Sequence, residues 1–281
     1  MRTMLQPWMI AADLAPGDLK SVERDWSEVC LHRIDSAERP HFAMAYAKLW
    51  AEFGASDEME EEPVIISRLS SDGTAMEGGC ALRYRLMLVL AGEAFAAVRD
   101  HTAIVSEGIP GAVVHLSHNL VAPDWRRSGL AGWLRALPIQ TARHALQAQH
   151  RSVEEPITLV GEMEHPDTND EATMIRLSAY ERAGFLKADP RLIPYHQPDF
   201  RSAAEIDESG GARPLPMQLL VRRVGREQER EVETREIQRL AETLYRMYSR
   251  GFRVQDMEAA CRTLKDYPAP DTKVALLRPT A

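Results

Sequence analysis

Residues 120–134 read Leu120-Val121-Ala122-Pro123-Asp124-Trp125-Arg126-Arg127-Ser128-Gly129-Leu130-Ala131-Gly132-Trp133-Leu134. They join a predicted strand to a predicted helix through a turn that carries arginine and glycine. The first amides of a helix lack intrahelical acceptors and sit at the positive end of its dipole, so such a turn can hold a phosphate or pyrophosphate. Arg126 and Arg127 add charge beside those amides, and Gly129 would let an anion approach the backbone closely. Taken alone, the same residues also describe an ordinary strand-to-helix turn with solvated arginines.

Working outward, Ala112–Val121 is the strand that feeds this turn. Leu130, Trp133, Leu134 and Leu137 at helical spacing give the helix a face to lay on a sheet, and Pro138 should kink it or end its first part. Upstream, Asp18–Phe53 reads as two helices broken at Pro40, and the acidic run Asp57–Glu62 as a loop. Strands are predicted at Val64–Leu69, Ala81–Leu90 and Ala94–Val105. Leu82, Tyr84, Leu86, Leu88 and Leu90 alternate with Arg83, Arg85, Met87 and Val89, as in an antiparallel meander with one solvated face. Downstream come a strand at Ile157–Glu164, a helix from about Asp170 to Ala183 opened by a capping box at Thr168–Glu171 and closed at Gly184, a mobile loop at Ser202–Arg213, and a last strand at Leu215–Val224. After Gly225, Ile237, Leu240, Ala241, Leu244 and Met247 form one apolar stripe and Val254, Met257, Cys261 and Leu264 another. These predict a helical hairpin bent near Gly251, fit for packing on the domain, for a homodimer contact or for roofing a channel. The expected division is a domain over 1–225 and a C-terminal helical extension over 226–281.

The 281 residues, 44% hydrophobic, suffice for a sizeable core. A formal charge of -8 argues against nucleic acid or an anionic membrane as partner, while leaving room for a local basic pocket. There is no apolar run of membrane-spanning length, and Met1–Leu14 lacks a signal-peptide pattern, so a cytoplasmic protein is expected. Cys30, Cys80 and Cys261 are too few and too scattered for a disulfide framework or a zinc site, and no metal is expected.

In its order the turn closely resembles the acyl-coenzyme A binding motif of the GNAT superfamily of N-acetyltransferases: Arg or Gln, two free positions, Gly, one free position, then Gly or Ala. Arg126, Arg127-Ser128, Gly129, Leu130 and Ala131 fill it. Val121, Pro123, Trp125 and Arg126 match the approach common in that family, and Arg127 stands where a Gly is frequent. Tyr180-Glu181-Arg182-Ala183-Gly184-Phe185 is similar to the family's Tyr-Glu-x-x-Gly-Phe helix end, although Thr173 stands where the family often has Asn. The resemblance covers about Asp18–Val224. It implies an α/β fold with a mixed sheet and transfer of an acetyl group from acetyl-CoA to a primary amine of a small molecule or peptide. It further implies that the backbone of Leu120 and Val121 bonds the pantetheine arm, and that the pyrophosphate meets the amides of Arg127, Ser128, Gly129, Leu130 and Ala131 beside the Arg126 side chain. A catalytically silent acyl-CoA-binding module and a longer-chain N-acyltransferase are the alternatives.

Acyl transfer to an amine needs a base for the ammonium, donors for the oxyanion and an acid for the departing thiolate. In many members of the family the tyrosine matched by Tyr180 faces the coenzyme sulfur, which would make it the acid. His115, placed by alternation on one strand face with Ser117 and Asn119 while His118 faces the other way, is one candidate base. Glu162 on the neighbouring strand is the other. The cluster Glu162, Glu164, His165 and Asp167 offers a further role, attraction of a cationic amine.

Overall fold

A computed structural model describes residues 10–56 and 58–281; the first nine residues and Asp57 of the acidic run lie outside it. The described residues begin with short 3-10 helices at Ala11–Asp13 and Pro16–Val22, followed by strand β1 (Val29–Ile34), helices α1 (Phe42–Phe53) and α2 (Glu62–Leu69), and strands β2 (Asp72–Glu77), β3 (Cys80–Ala91), β4 (Ala94–Ser106), β5 (Ala112–His115) and β6 (Asn119–Val121). Then come α3 (Leu130–Ala148), β7 (Ile157–Met163), α4 (Glu171–Arg182), β8 (Leu186–Ala188), β9 (Tyr195–Gln197), α5 (Ala203–Glu208) and β10 (Leu215–Arg223). The C-terminal part adds β11 (Glu231–Glu233), α6 (Thr234–Tyr248), α7 (Val254–Cys261) and β12 (Lys273–Leu277). Among the described residues no helix is long and apolar enough to cross a membrane.

The sheet runs β1-β3-β4-β5-β7-β10-β8-β12-β11, with β2 beside β3, β6 beside β4 and β9 beside β10. The β5–β7 pair is parallel, and the other pairs are antiparallel. This is the expected mixed α/β sheet, with the expected order of an antiparallel meander followed by strand-helix-strand-helix-strand. The β3–β4 hairpin, in register from Cys80↔Ser106 to Ala91↔Ala94, is its spine.

Both faces of that spine are covered, contrary to the solvated face expected of β3. One face carries Tyr84, Leu86, Leu88 and Val98 under α1 and α2, continuing into Leu82, Ile104, Val113, Val160, Leu219 and Val221 under α6. On the other, Met87, Val89 and Ala97 meet Leu130, Trp133 and Leu134 of α3, and Val114, Leu159 and Leu220 meet Ile139, Ala142 and the α4 residues Leu177 and Tyr180. Helix α3 runs on past Pro138 to Ala148. The N-terminal segment is tied to it by Asp18 and Asp13, whose carboxylates accept from Arg135 and Arg143 at 2.7 Å.

Several other expectations give way. Of the two helices expected over Asp18–Phe53, the first is a short turn followed by strand β1, because Val29–Ile34 finds an open edge on β3. Leu19 and Val22 of its supposed apolar face are exposed. Val64–Leu69 is helical, since Pro63 sits in the first turn and Ile65 and Leu69, four residues apart, both reach the core. The N-cap of α4 is Asp170, which accepts from Ala172 N and Thr173 N, and not Thr168. Ser202–Arg213 holds α5 behind a Ser202/Glu205 capping box. The expected hairpin after Gly225 is present as α6 and α7, but strands bracket it and β12 pairs with β8.

Gly111 fixes where β5 begins. Its φ is +80° and an added Cβ would lie 1.8 Å from Pro156 O, the carbonyl to which Ala112 N–H donates. Gly111→Ala should lower stability by about 2–4 kcal/mol in urea unfolding; a midpoint unchanged from wild type would show that the β5–β7 junction does not depend on this approach.

Candidate active site

The parallel β5–β7 pair extends only from Ala112↔Ile157 to His115↔Val160, with Leu116 N–H donating to Val160 O at 2.8 Å. Beyond it, β6 follows β4 alone. Between the pairs Thr102↔His115 and Arg99↔Asn119, β4 advances three residues while its partner advances four. The extra residue is a β-bulge, which bends the strand and shifts its alternation. The one strand expected over Ala112–Val121 is therefore two, and the sheet opens between β6 and the end of β7.

The shift overturns the expected facing of the polar residues. His115 and His118 lie on the same face, that of α1, α2 and α6, whereas Asn119 turns to the α3 side with Arg99. His118 pins the bulge. Its amide and ring Nδ1 both contact Asp100 Oδ1, at 2.8 and 2.9 Å; Nε2 meets Glu58 O at 2.9 Å; and Tyr84 OH donates to Asp100 Oδ2 at 2.9 Å. With acceptors at both ring nitrogens, His118 is an imidazolium. Burial opposes its charge, but Asp100 and the Glu58 carbonyl outweigh that and raise its pKa to about 9. Burial likewise works against the Asp100 carboxylate, yet His118 and Tyr84 hold it well below the usual range. Arg99, Asp100 and His101 are buried in the middle of β4, and their only sequence signal was a polar triplet inside an apolar strand.

The two candidate bases form one unit. His115 Nε2 lies 2.7 Å from Glu162 Oε2, with the two side chains 5% and 2% exposed. Glu162 also accepts from Tyr195 OH at 2.6 Å, Gln197 Nε2 at 3.3 Å and Tyr248 OH. Burial alone would raise its pKa; His115 and the two phenols reverse that and lower it. The same burial and the same carboxylate push both phenols well above the ordinary tyrosine value, so they stay protonated donors. An ionised carboxylate only accepts, so His115 carries a proton on Nε2, and its Nδ1 lies 3.2 Å from Ser117 Oγ. Tyr195, Gln197 and Tyr248 were missed by sequence reading. They arrive from β9 and α6 with no local signature. The expected acidic cluster is dispersed: Glu164 pairs with Arg176 at 2.6 Å, Asp167 bonds Asn169 N at 2.8 Å, and His165 is exposed.

A cavity of about 610 Å³ passes through the opening in the sheet. His115, Ser117, Glu162 and Tyr248 line it from one face, Ala131, Arg135 and Tyr180 from the other, and Leu120, Val121 and Arg126 along the β6 edge. Tyr180 is buried, packs edge-on against Phe185 and lies under the Arg135 guanidinium, 6.0 Å from its ring centre. Behind it sits Arg99, fully buried, with Tyr180 and Asp100 as its electrostatic neighbours. Burial lowers the Arg99 pKa, opposed by the neighbouring Tyr180 and Asp100. Thr173 turns away to its N-cap, bonding Asp170 Oδ2 at 2.6 Å.

At the turn, Arg126 N, Ser128 N and Leu130 N are engaged, to Pro123 O, Trp125 O and Ser128 Oγ. Among the described residues no acceptor meets the amides of Arg127, Gly129 and Ala131. The expected series of amides is thus an alternate set, made possible by left-handed backbone at Arg127 (φ 61°) and Gly129 (φ 96°). Gly129 has a second duty, since an added Cβ would lie 2.9 Å from Ser21 Oγ, which donates to Gly129 O. Arg126 Nε turns back toward Val121 O at 3.4 Å.

No family profile and no curated protein matches the chain. Similar solved structures include a tandem GNAT protein from the clavulanic acid biosynthesis pathway, 17% identical over 60% of this chain with a TM-score of 0.35. The chain spans 46% of that protein's length. An acetyltransferase of the GNAT family from Streptococcus pneumoniae is 12% identical, covering 70% of this chain and 99% of its own, with a TM-score of 0.35. An acetyltransferase from Streptococcus agalactiae is 12% identical, covering 69% and 98%, with a TM-score of 0.34.

The His118 charge makes stability depend on pH. Its folded pKa of about 9 lies above the ordinary 6.5, so its contribution is complete below 6.5 and is lost as pH rises through 9. Asp100, depressed in the fold, contributes above the ordinary 3.8 and loses that contribution as pH falls. Urea unfolding should therefore show a decline on the order of 3 kcal/mol toward alkaline pH. His118→Gln should be less stable at neutral pH and lack this decline; a parallel profile in the variant would place the alkaline loss elsewhere.

Proposed function

We propose that this chain is a GNAT-type N-acyltransferase that moves an acetyl group from acetyl-CoA to a primary amine of a small molecule or peptide by direct attack. The observation that carries this is the opened sheet, in which the unpaired edge of β6 leads directly to a helix start with three free amides. A long, thin acyl donor with a diphosphate fits that pairing of features: an edge strand accepts an extended amide-bearing arm, and a positive helix end accepts the anion. Leu120 and Val121 would bond the arm through their backbone. The amides of Arg127, Gly129 and Ala131, with the Arg126 side chain, would hold the diphosphate. The donor supplies an activated thioester.

The residues around the opening match two demands of the reaction, the base and the acid. His115 Nδ1, reached through the Ser117 hydroxyl, takes the proton of the attacking amine, and Glu162 on Nε2 fixes the tautomer and balances the imidazolium that forms. Tyr180, on the opposite wall, gives its proton to the departing thiolate. Arg99 behind it then faces the resulting phenolate with a buried positive charge.

Calorimetry with coenzyme A tests the premise, because an absence of binding would overturn it. Gly129 is a poor probe, since its substitution disturbs Ser21 as well. Arg126→Ala is the better one and should weaken coenzyme affinity about 10-fold, the worth of one charge-assisted contact. Glu162→Gln should lower kcat about 10²–10⁴-fold with coenzyme affinity unchanged, the usual span for loss of acid–base catalysis. Tyr180→Phe should also reduce kcat at unchanged affinity; full activity would remove the phenol from the mechanism.

A further inference from the structure

The direct route to an amine uses the Ser117 hydroxyl only as a proton relay. Ser117 stands at the bulge with its hydroxyl 3.2 Å from His115 Nδ1, and Glu162 holds the other ring nitrogen at 2.7 Å. A hydroxyl, an imidazole whose tautomer is fixed, and a buried carboxylate in that sequence form the arrangement that activates a serine nucleophile. The tautomer is set by Glu162 itself, which accepts four hydrogen bonds and stays ionised. Ser117 and His115 both line the cavity, so the hydroxyl is open to a bound carbonyl. The bulge supplies one more element. It takes Ser117 out of the ladder, and among the described residues no acceptor meets its backbone N–H, which is free to donate to a carbonyl oxygen that gains charge.

We propose that Ser117 is a nucleophile and that the chain has a second activity, hydrolysis of thioesters and activated esters through an acyl-serine. In the first step Ser117 Oγ forms a bond to the acyl carbon and its proton passes to His115 Nδ1. The bond from that carbon to the leaving sulfur or oxygen breaks, and the leaving group departs with the proton from Nδ1 or, for a stable anion such as nitrophenolate, without it, in which case Nδ1 gives that proton to solvent before the second step. In the second step a water oxygen attacks the ester carbon and gives a proton to Nδ1. The C–Oγ bond breaks, Oγ recovers a proton, and a carboxylic acid is released. Glu162 remains anionic throughout. An amine in the cavity competes with this water, so hydrolysis is the outcome when no acceptor is bound.

For thioesters of coenzyme A the second activity rests on the reading given above, but the serine chemistry does not, and an ester without coenzyme separates the two. The full-length protein is mixed with 4-nitrophenyl acetate, nitrophenolate release is followed, and acid-quenched samples are weighed intact and mapped. Wild type should show a burst, gain the mass of one acetyl group and carry it on Ser117. Ser117→Ala should lose the burst and at least about 10²-fold of the hydrolysis rate. Ser117→Cys should still be acylated, which guards against a fold artefact in the alanine variant. An adduct on any other residue, or hydrolysis unaltered in Ser117→Ala, overturns the proposal. Binding of coenzyme A measured on the same samples divides the cases. Binding without an adduct sinks the serine chemistry alone, and an adduct without binding supports it while sinking the coenzyme reading.

Discussion

One extra residue between His115 and Asn119 determines most of what is particular about this protein. A sheet whose central strands stayed paired to their ends would be continuous, with a dry core on each side and no passage between them. The bulge releases β6 from β7 while β4 keeps both halves of the interrupted strand in line. It also decides which side chains meet. His115 shares the face of Glu162 and Tyr248 through the β5–β7 register, and because the alternation slips by one beyond it, His118 joins that face and Asn119 joins that of Arg99.

Such an opening is costly, since it removes ladder hydrogen bonds from the middle of a sheet. The structure offsets this with a buried ion pair. Asp100 accepts from both the amide and the ring of His118, so one carboxylate satisfies the irregular backbone and neutralises the charge that does so. Removing one partner of such a pair costs about 3–5 kcal/mol, because the other is left buried and alone. The neighbouring Arg99 is compensated only in part, by Asp100 and Tyr180. A buried guanidinium in the same strand, behind Tyr180, is an electrostatic arrangement of the kind that accumulates where chemistry is done.

The sequence disclosed the elements whose signals are local. Strands β3, β4, β7 and β10, helix α3 with its glycine-bearing start, and the helix ended by Gly184 were all legible from periodicity and capping residues. Val29–Ile34 was not, because its apolar residues also fit a helical stripe and only the free edge of β3 resolves the ambiguity. Val64–Leu69 misled for the opposite reason: its β-branched residues favour a strand, and Pro63 with the core positions of Ile65 and Leu69 overrides them. The site divided the same way. His115, Glu162 and Tyr180 could be nominated from residue type and position, but their grouping could not. Whether His115 and Glu162 were rivals or partners depended on the β5–β7 register, which pairs strands far apart in the chain and which no local residue pattern announces. Tyr195, Gln197 and Tyr248 come from segments with no motif at all.

The donor from α6 has a consequence for how the protein comes into being. Tyr248 reaches His115 across 133 positions of the chain and Glu162 across 86. On a ribosome the opened sheet and its turn are made well before that helix, so a nascent chain passes through a stage with a partly clothed carboxylate beside an imidazole. Contacts this distant in sequence form late and slowly. The reactive pair therefore matures only after α6 has been made and settles over it.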